Sequence, residues 1–197
     1  MNLVMDATTM RTIILPFLAL PLLLNAQVAA TPSPATKSGI QWLTIEQAEA
    51  RAKKEPRPIL VDVYTQWCGP CKMLDRNTFS DPKLAAYVNR KFYAVKFDAE
   101  SPTPVMYKGK KLENPDYKQE LAGRRNGTHH LTYAIANVNG RIAYPTMVYL
   151  DNEMNVLAPV QGYMTPQQME PILNFFGEGH YKKGDYQTFM NGFKAQW

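Results

Sequence analysis

Val61-Asp62-Val63-Tyr64-Thr65-Gln66-Trp67-Cys68-Gly69-Pro70-Cys71-Lys72 contains both cysteines of the 197-residue chain. They stand three residues apart. An apolar run, Ile59–Tyr64, leads into them, and a helix-like stretch follows. A helix beginning at Cys68 aims unpaired backbone N–H groups at its sulfur and favours the thiolate, which is the reactive form. A disulfide across two intervening residues closes a tiny loop and removes little chain entropy, so it makes a poor structural staple. The pair therefore reads as reversible redox chemistry.

The composition is that of a globular domain, 45% hydrophobic and 20% charged, with a net charge of +5. No zinc-finger spacing or aromatic–basic repeat points to nucleic acid. The basic excess reads as a solvated or steering surface. Near the N-terminus, Arg11 precedes an apolar run, Ile13–Leu24, followed by small residues at Ala26 and at Val28-Ala29-Ala30. The run is short for a bilayer span and contains Pro16 and Pro21. Residues 1–30 are therefore expected to be a cleaved signal peptide, with no stable membrane insertion afterwards and a periplasmic or secreted location.

Residues 31–39 are read as a flexible leader. Ile40–Trp42 is a strand candidate, and Thr44-Ile45-Glu46-Gln47 resembles a capping box for a helix to Lys54. Residues 59–64 hardly alternate, as in a central strand. Helices are expected over Cys68–Phe79 and from Pro82 to Arg90, then a strand over Phe92–Asp98. Residues 101–127 interrupt this rhythm. Lys108, Lys110, Lys111, Lys118, Arg124 and Arg125 stand there against Glu113, Asp116 and Glu120, and Val105–Lys110 suggests a small hairpin. Thr128 is expected to cap a helix through Val138. Strands at 146–150 and 156–160, joined by a short turn, should pair antiparallel. Thr165 opens a helix to Phe176, and Asp185 one to Trp197. Strands alternating with helices, then a terminal hairpin, give an α/β class.

The segment around Trp67-Cys68-Gly69-Pro70-Cys71-Lys72 resembles the active site of the thioredoxin family. An acidic residue, Asp62, sits six positions before the first cysteine. Tyr144-Pro145-Thr146 resembles the family's cis-proline loop, Lys96 matches a lysine that approaches the buried aspartate, and Gly162 matches a glycine near the active surface. Order and spacing agree from residue 40 to 176 apart from the insert at 101–127. The insert and Gly179-His180-Tyr181-Lys182 are similar to exported bacterial members.

The resemblance implies a three-layer sandwich. Its central mixed sheet of four to five strands is flanked by helices, the insert lies between the third strand and the following helix, and residues 177–197 form a C-terminal helical extension. It implies Cys68 as an exposed nucleophile and Cys71 as the more buried resolving thiol. Asp62 would be the base for Cys71, with Lys96 beside it. Trp67, Gly69, Pro70, Tyr144, Pro145 and Gly162 would form the substrate surface. Gly69-Pro70 is typical of reducing members, whereas Tyr144 replaces a usual aliphatic residue.

The expectation is therefore a monomeric protein-disulfide reductase that uses the Cys68–Cys71 disulfide and no other cofactor. Its partners would be disulfide-containing proteins and a membrane electron donor, not nucleic acid. An oxidase or isomerase of the same fold, or a copper-handling or adaptor module, are the alternatives. No metal site is expected. Adjacent His129 and His130 point about 100° apart on a helix and rarely share an ion.

Overall fold

The computed structural model describes residues 39–197. The expected signal peptide, and the leader up to residue 38, lie outside the described residues. The strands are β1 (Trp42–Leu43), β2 (Ile59–Tyr64), β3 (Tyr93–Asp98), β4 (Val105–Tyr107), β5 (Lys110–Leu112), β6 (Thr146–Leu150) and β7 (Val156–Gln161). The helices are α1 (Ile45–Lys54), α2 (Gly69–Asn77), α3 (Pro82–Lys91), α4 (His130–Ala136), α5 (Pro166–Gly177) and α6 (Tyr186–Gly192).

Five strands form one mixed sheet in the order β1-β3-β2-β6-β7. β2 pairs parallel with β3 and antiparallel with β6, which places it at the centre. The terminal hairpin β6–β7 pairs antiparallel as its short connection requires. Strand alternation sorts the side chains into two cores. Ile59, Val61, Val63, Val95 and Phe97 pack on one face with Ile45 and Ala48 of α1 and Leu131 and Ile135 of α4. Leu60, Ala94, Met147 and Tyr149 pack on the other with α2, α3 and α5 through Leu74, Leu84, Leu173 and Phe176. This is the expected three-layer sandwich. Asp62 and Lys96 share the parity of Leu60 and Ala94, so both project toward the face that α2 covers.

Local signals account for most helix starts. Thr44 and Thr165 each make a full capping box with the glutamine three residues on. Asp81 caps α3 by accepting from the amides of Lys83 and Leu84. Among the boundaries that differ from expectation, three have an identifiable contact behind them. β1 lies at 42–43, one to two residues later than read, where Trp42 and Leu43 pair with Ala94 and Val95. α4 is capped by His129, not Thr128: the His129 Nδ1 accepts from the Leu131 amide at 3.0 Å. Burial holds this imidazole below the usual histidine pKa and so favours the neutral, accepting form.

The third difference is at the C-terminus. The helix that Asp185 opens does not run to Trp197. A short 3₁₀ turn at His180–Lys182 precedes α6, which ends at Gly192. Residues beyond it turn back over α5. There the backbone amides of Gln196 and Trp197 donate to the buried carboxylate of Glu170, Trp197 at 3.2 Å. Two main-chain donors replace the water that a buried carboxylate has lost.

The insert carries the expected hairpin, β4–β5. The irregular segment that follows it, residues 113–128, is stitched down by two asparagines. The Asn126 amide both accepts from and donates to the Lys118 backbone at 2.8 Å, and Asn114 donates to the Gly127 carbonyl at 2.6 Å. Gly127 is required by close approach, because a Cβ there would lie 2.4 Å from the Asp116 carbonyl carbon. Among the described residues no helix is long and apolar enough to cross a membrane.

Candidate active site

β2 delivers the redox segment to the end of the sheet, and α2 begins directly after it. Cys68 is the N-cap of α2, and its Sγ accepts from the Cys71 backbone amide at 3.1 Å. Pro70, at the second helical position, has no N–H to offer, so the Cys71 amide is the donor the first turn aims at this sulfur. Cys68 and Cys71 are joined as a disulfide, Sγ–Sγ 2.09 Å. Gly69 and Pro70 between them are exposed.

Cys68 is not the exposed sulfur that was expected. It is 2% accessible and Cys71 4%. In the disulfide the Cys68 sulfur is turned inward toward Cys71 and its amide. It forms part of the lining of a cleft of about 710 Å³ that also includes Trp67, Gly69, Pro70, Glu100, Arg125 and Tyr144. The indole of Trp67 meets the Tyr144 ring edge-to-face at 5.9 Å. Burial pushes the Tyr144 hydroxyl up to about 12.

The peptide bond between Tyr144 and Pro145 is cis, as the loop resemblance implied. Gly162, at φ +104°, donates its N–H to the Pro145 carbonyl at 2.8 Å. Its place beside the site thus has a specific cause: it ties β7 to the proline loop in a conformation that side chains disfavour.

On β2, on the face that α2 covers, Asp62 is 1% accessible. One of its oxygens takes the Lys96 ammonium at 3.0 Å, and the other has no partner. Burial pushes this carboxyl up to about 6, against the pull of Lys96. Lys96 also pairs with Asp75 and lies 4.9 Å from the Tyr64 ring centre and 5.1 Å from that of Trp42. Burial opposes its charge, but the two carboxylates outweigh that and raise its pKa.

The structure thus gathers Trp67, Cys68, Gly69, Pro70 and Tyr144 in one cleft, with Pro145 and Gly162 beside it and Asp62–Lys96 on the face under α2. Three further residues were not read from sequence. Glu100 accepts from the Trp67 indole N–H at 2.9 Å. Arg125 sits over the Trp67 ring, 4.5 Å from its centre. Asp75, four residues after Cys71, holds Lys96. The i,i+4 spacing was the available signal for Asp75. For Glu100 it was the parallel pairing of β2 and β3, which brings Asp98–Glu100 to the same sheet end as Trp67. No local pattern marks Arg125. His129 and His130 do not meet the cysteines, and among the described residues no three histidine, cysteine or acidic side chains gather as a metal site would require.

A family profile described as "Thioredoxin-like domain" matches residues 45–177. A thiol:disulfide interchange protein, DsbD, of Vibrio vulnificus is 32% identical over 73 residues, which is 34% of this chain and 12% of that protein. Thioredoxin of Allochromatium vinosum is 47% identical over 34 residues, 17% of this chain and 32% of its own. The chain thus matches a small part of each of these relatives. Among solved structures, a thioredoxin from Thermus thermophilus aligns with a TM-score of 0.47 and 20% identity, covering 72% of this chain and 95% of that one. A DsbH oxidoreductase aligns at 0.46 and 14%, covering 84% and 94%. With the profile spanning most of the described residues and a CXXC disulfide at the head of α2, the chain belongs to the thioredoxin-like domain family.

Proposed function

We propose that the protein is a thiol–disulfide oxidoreductase that reduces protein disulfides outside the cytoplasm. The observation that carries this reading is the Cys68 sulfur capping α2 at 3.1 Å from the Cys71 amide and lining an open cleft. An amide N–H aimed at sulfur stabilises negative charge on it, so Cys68 is the attacking thiolate.

In the reduced protein, Cys68 Sγ⁻ attacks one sulfur of a substrate disulfide. A mixed disulfide forms and the other substrate sulfur leaves as a thiolate. Cys71 then loses its proton and attacks Cys68 Sγ. This forms the Cys68–Cys71 disulfide and expels the second substrate thiolate. The substrate gains two electrons and the protein loses two. Asp62, poised near 6 by burial, is the group that takes the Cys71 proton, and Lys96 holds its charge. The cleft beside the cis-Pro145 loop positions the substrate strand over Cys68.

The reductive direction is supported by Gly69-Pro70, and the location by the signal-like run at 13–24. In an oxidising compartment the dithiol must be regenerated by an external dithiol, for which a membrane electron donor is proposed. The test is the reduction potential combined with insulin-disulfide reduction. A potential near about −270 mV with activity lost in Cys68→Ser supports the reductase, and one near about −120 mV supports an oxidase. Full activity in Cys68→Ser, or copper held by both thiols without exchange, overturns the enzymatic reading.

A further inference from the structure

The cleft over Cys68 has one wall that comes from the insert, and that wall carries the cleft's accessible charge. Two charged side chains line it, Glu100 and Arg125. Glu100 is buried, and its Oε2 is occupied by the Trp67 indole N–H. Arg125 is exposed. Among the described residues it makes no ion pair within 4.0 Å. Its guanidinium is held against the Trp67 ring, next to the redox cysteine in sequence.

The position of Arg125 is built. Asn126 is clamped on both sides to the Lys118 backbone, and Gly127 packs on the Asp116 carbonyl with no room for a side chain. An arginine whose backbone is anchored and whose side chain rests on an aromatic face loses little freedom when it binds. Its N–H fork matches a carboxylate, and the indole beneath it excludes water from one side.

We propose that Arg125 is a specificity residue that receives a carboxylate side chain carried next to the substrate's disulfide. The inference rests on disulfide exchange at Cys68 and names the chemistry of the segment that enters: an acidic peptide. A lysine in the same place meets like charge.

The test uses three cystine peptides that differ at one residue beside the disulfide: Glu, Gln or Lys. The rate of consumption of each by the reduced protein is followed against peptide concentration at low salt. The Glu peptide should react about three- to tenfold faster than the Gln peptide below saturation, with the difference in half-saturation and not in the limiting rate. The Lys peptide should be the slowest. Arg125→Gln should bring the Glu:Gln ratio to about one, and Arg125→Glu should invert the order. Lys110→Gln, which removes a charge from the insert away from the cleft lining, should keep the preference and so separate contact from long-range steering. Equal rates for the Glu and Gln peptides, or a preference that survives Arg125→Gln, overturn the inference while the Gln peptide still reports exchange. Failure to reduce any of the three overturns both this inference and the reading on which it rests.

Discussion

The Lys96 ammonium lies 3.0 Å from an Asp62 carboxylate oxygen, and the two are direct register partners on adjacent parallel strands. The same ammonium also holds Asp75 on α2, so one cation joins the sheet to the helix that carries both cysteines.

The raised Asp62 pKa has a consequence for stability. In the unfolded chain this carboxyl titrates near 3.9, and in the folded protein near 6. Between those values the folded state binds the extra proton, so stability falls as pH rises from about 4 to 6 and levels off above. The full effect is about 2–3 kcal/mol. Asp62→Asn should remove this dependence and be more stable at pH 7 by about that amount, while its resolving step slows. Urea unfolding at pH 4.5 and 7.5 measures the first, and release of substrate from the mixed disulfide the second.

Lys96 and Asp75 act on the same titration in opposite directions. Lys96→Met removes the attractive charge and should raise the Asp62 pKa further, by about one unit or more. Asp75→Asn removes a repulsive carboxylate and leaves Lys96 to Asp62, so the pKa should fall. The groups facing Asp62 are Lys96 on β3, Asp75 on α2 and Tyr64 on its own strand. Carbon-13 titration of the Asp62 carboxyl, with the pH profile of the resolving step, should show both shifts.

The two cysteines should separate by role. Cys68→Ser should reduce insulin-disulfide reduction at least ~100-fold, because no thiolate remains to attack. Cys71→Ser should leave a Cys68 adduct that cannot resolve, and mixed disulfides with substrate should accumulate. Non-reducing gels of protein incubated with oxidised substrate check both.

Gly127→Ala should destabilise the protein by about 1–3 kcal/mol, since the new methyl meets the Asp116 backbone at 2.4–2.5 Å and the Asn114 amide oxygen at 2.8 Å. Residues 114–128 of the insert should loosen with it. Hydrogen exchange at residues 114–128 should rise while that of β2 and β6 stays slow.

Glu170→Ala should cost about 2–4 kcal/mol, because the amides of Gln196 and Trp197 lose their buried acceptor. Removing residues 193–197 should have an effect of similar size, as it strands the carboxylate instead. Thermal and urea unfolding of both variants make the comparison.

What was legible in the sequence follows a physical rule. Asp62 stood out because a charge is expensive in an apolar strand, whereas Lys96 was placed beside it by the family resemblance alone. The helix starts at Thr44, Asp81 and Thr165 were legible because capping is local chemistry. Trp67–Glu100 and Trp67–Arg125 were not, since each joins residues far apart in sequence and neither residue type carries a local signal. Histidine is a poor marker for an N-cap, so His129 was passed over for Thr128. Asp185 signalled the start of the last helix but nothing local signalled its end at Gly192, since the last residues bond the distant Glu170. The burial of Cys68 goes with its sulfur's bond to Cys71 and its place as the N-cap of α2, which only the folded loop defines.

The two halves of the insert stand under different constraints. Residues 105–112 form a hairpin whose tip, Lys108-Gly109, makes no part of the cleft, so its sequence and length can drift with little effect on chemistry. Residues 114–128 are pinned by Asn114, Asn126 and Gly127, and their register sets where Arg125 falls. A protein engineer can therefore lengthen or decorate the hairpin to add a docking handle, and exchange Arg125 alone to change which disulfides are accepted, as two independent adjustments on one loop.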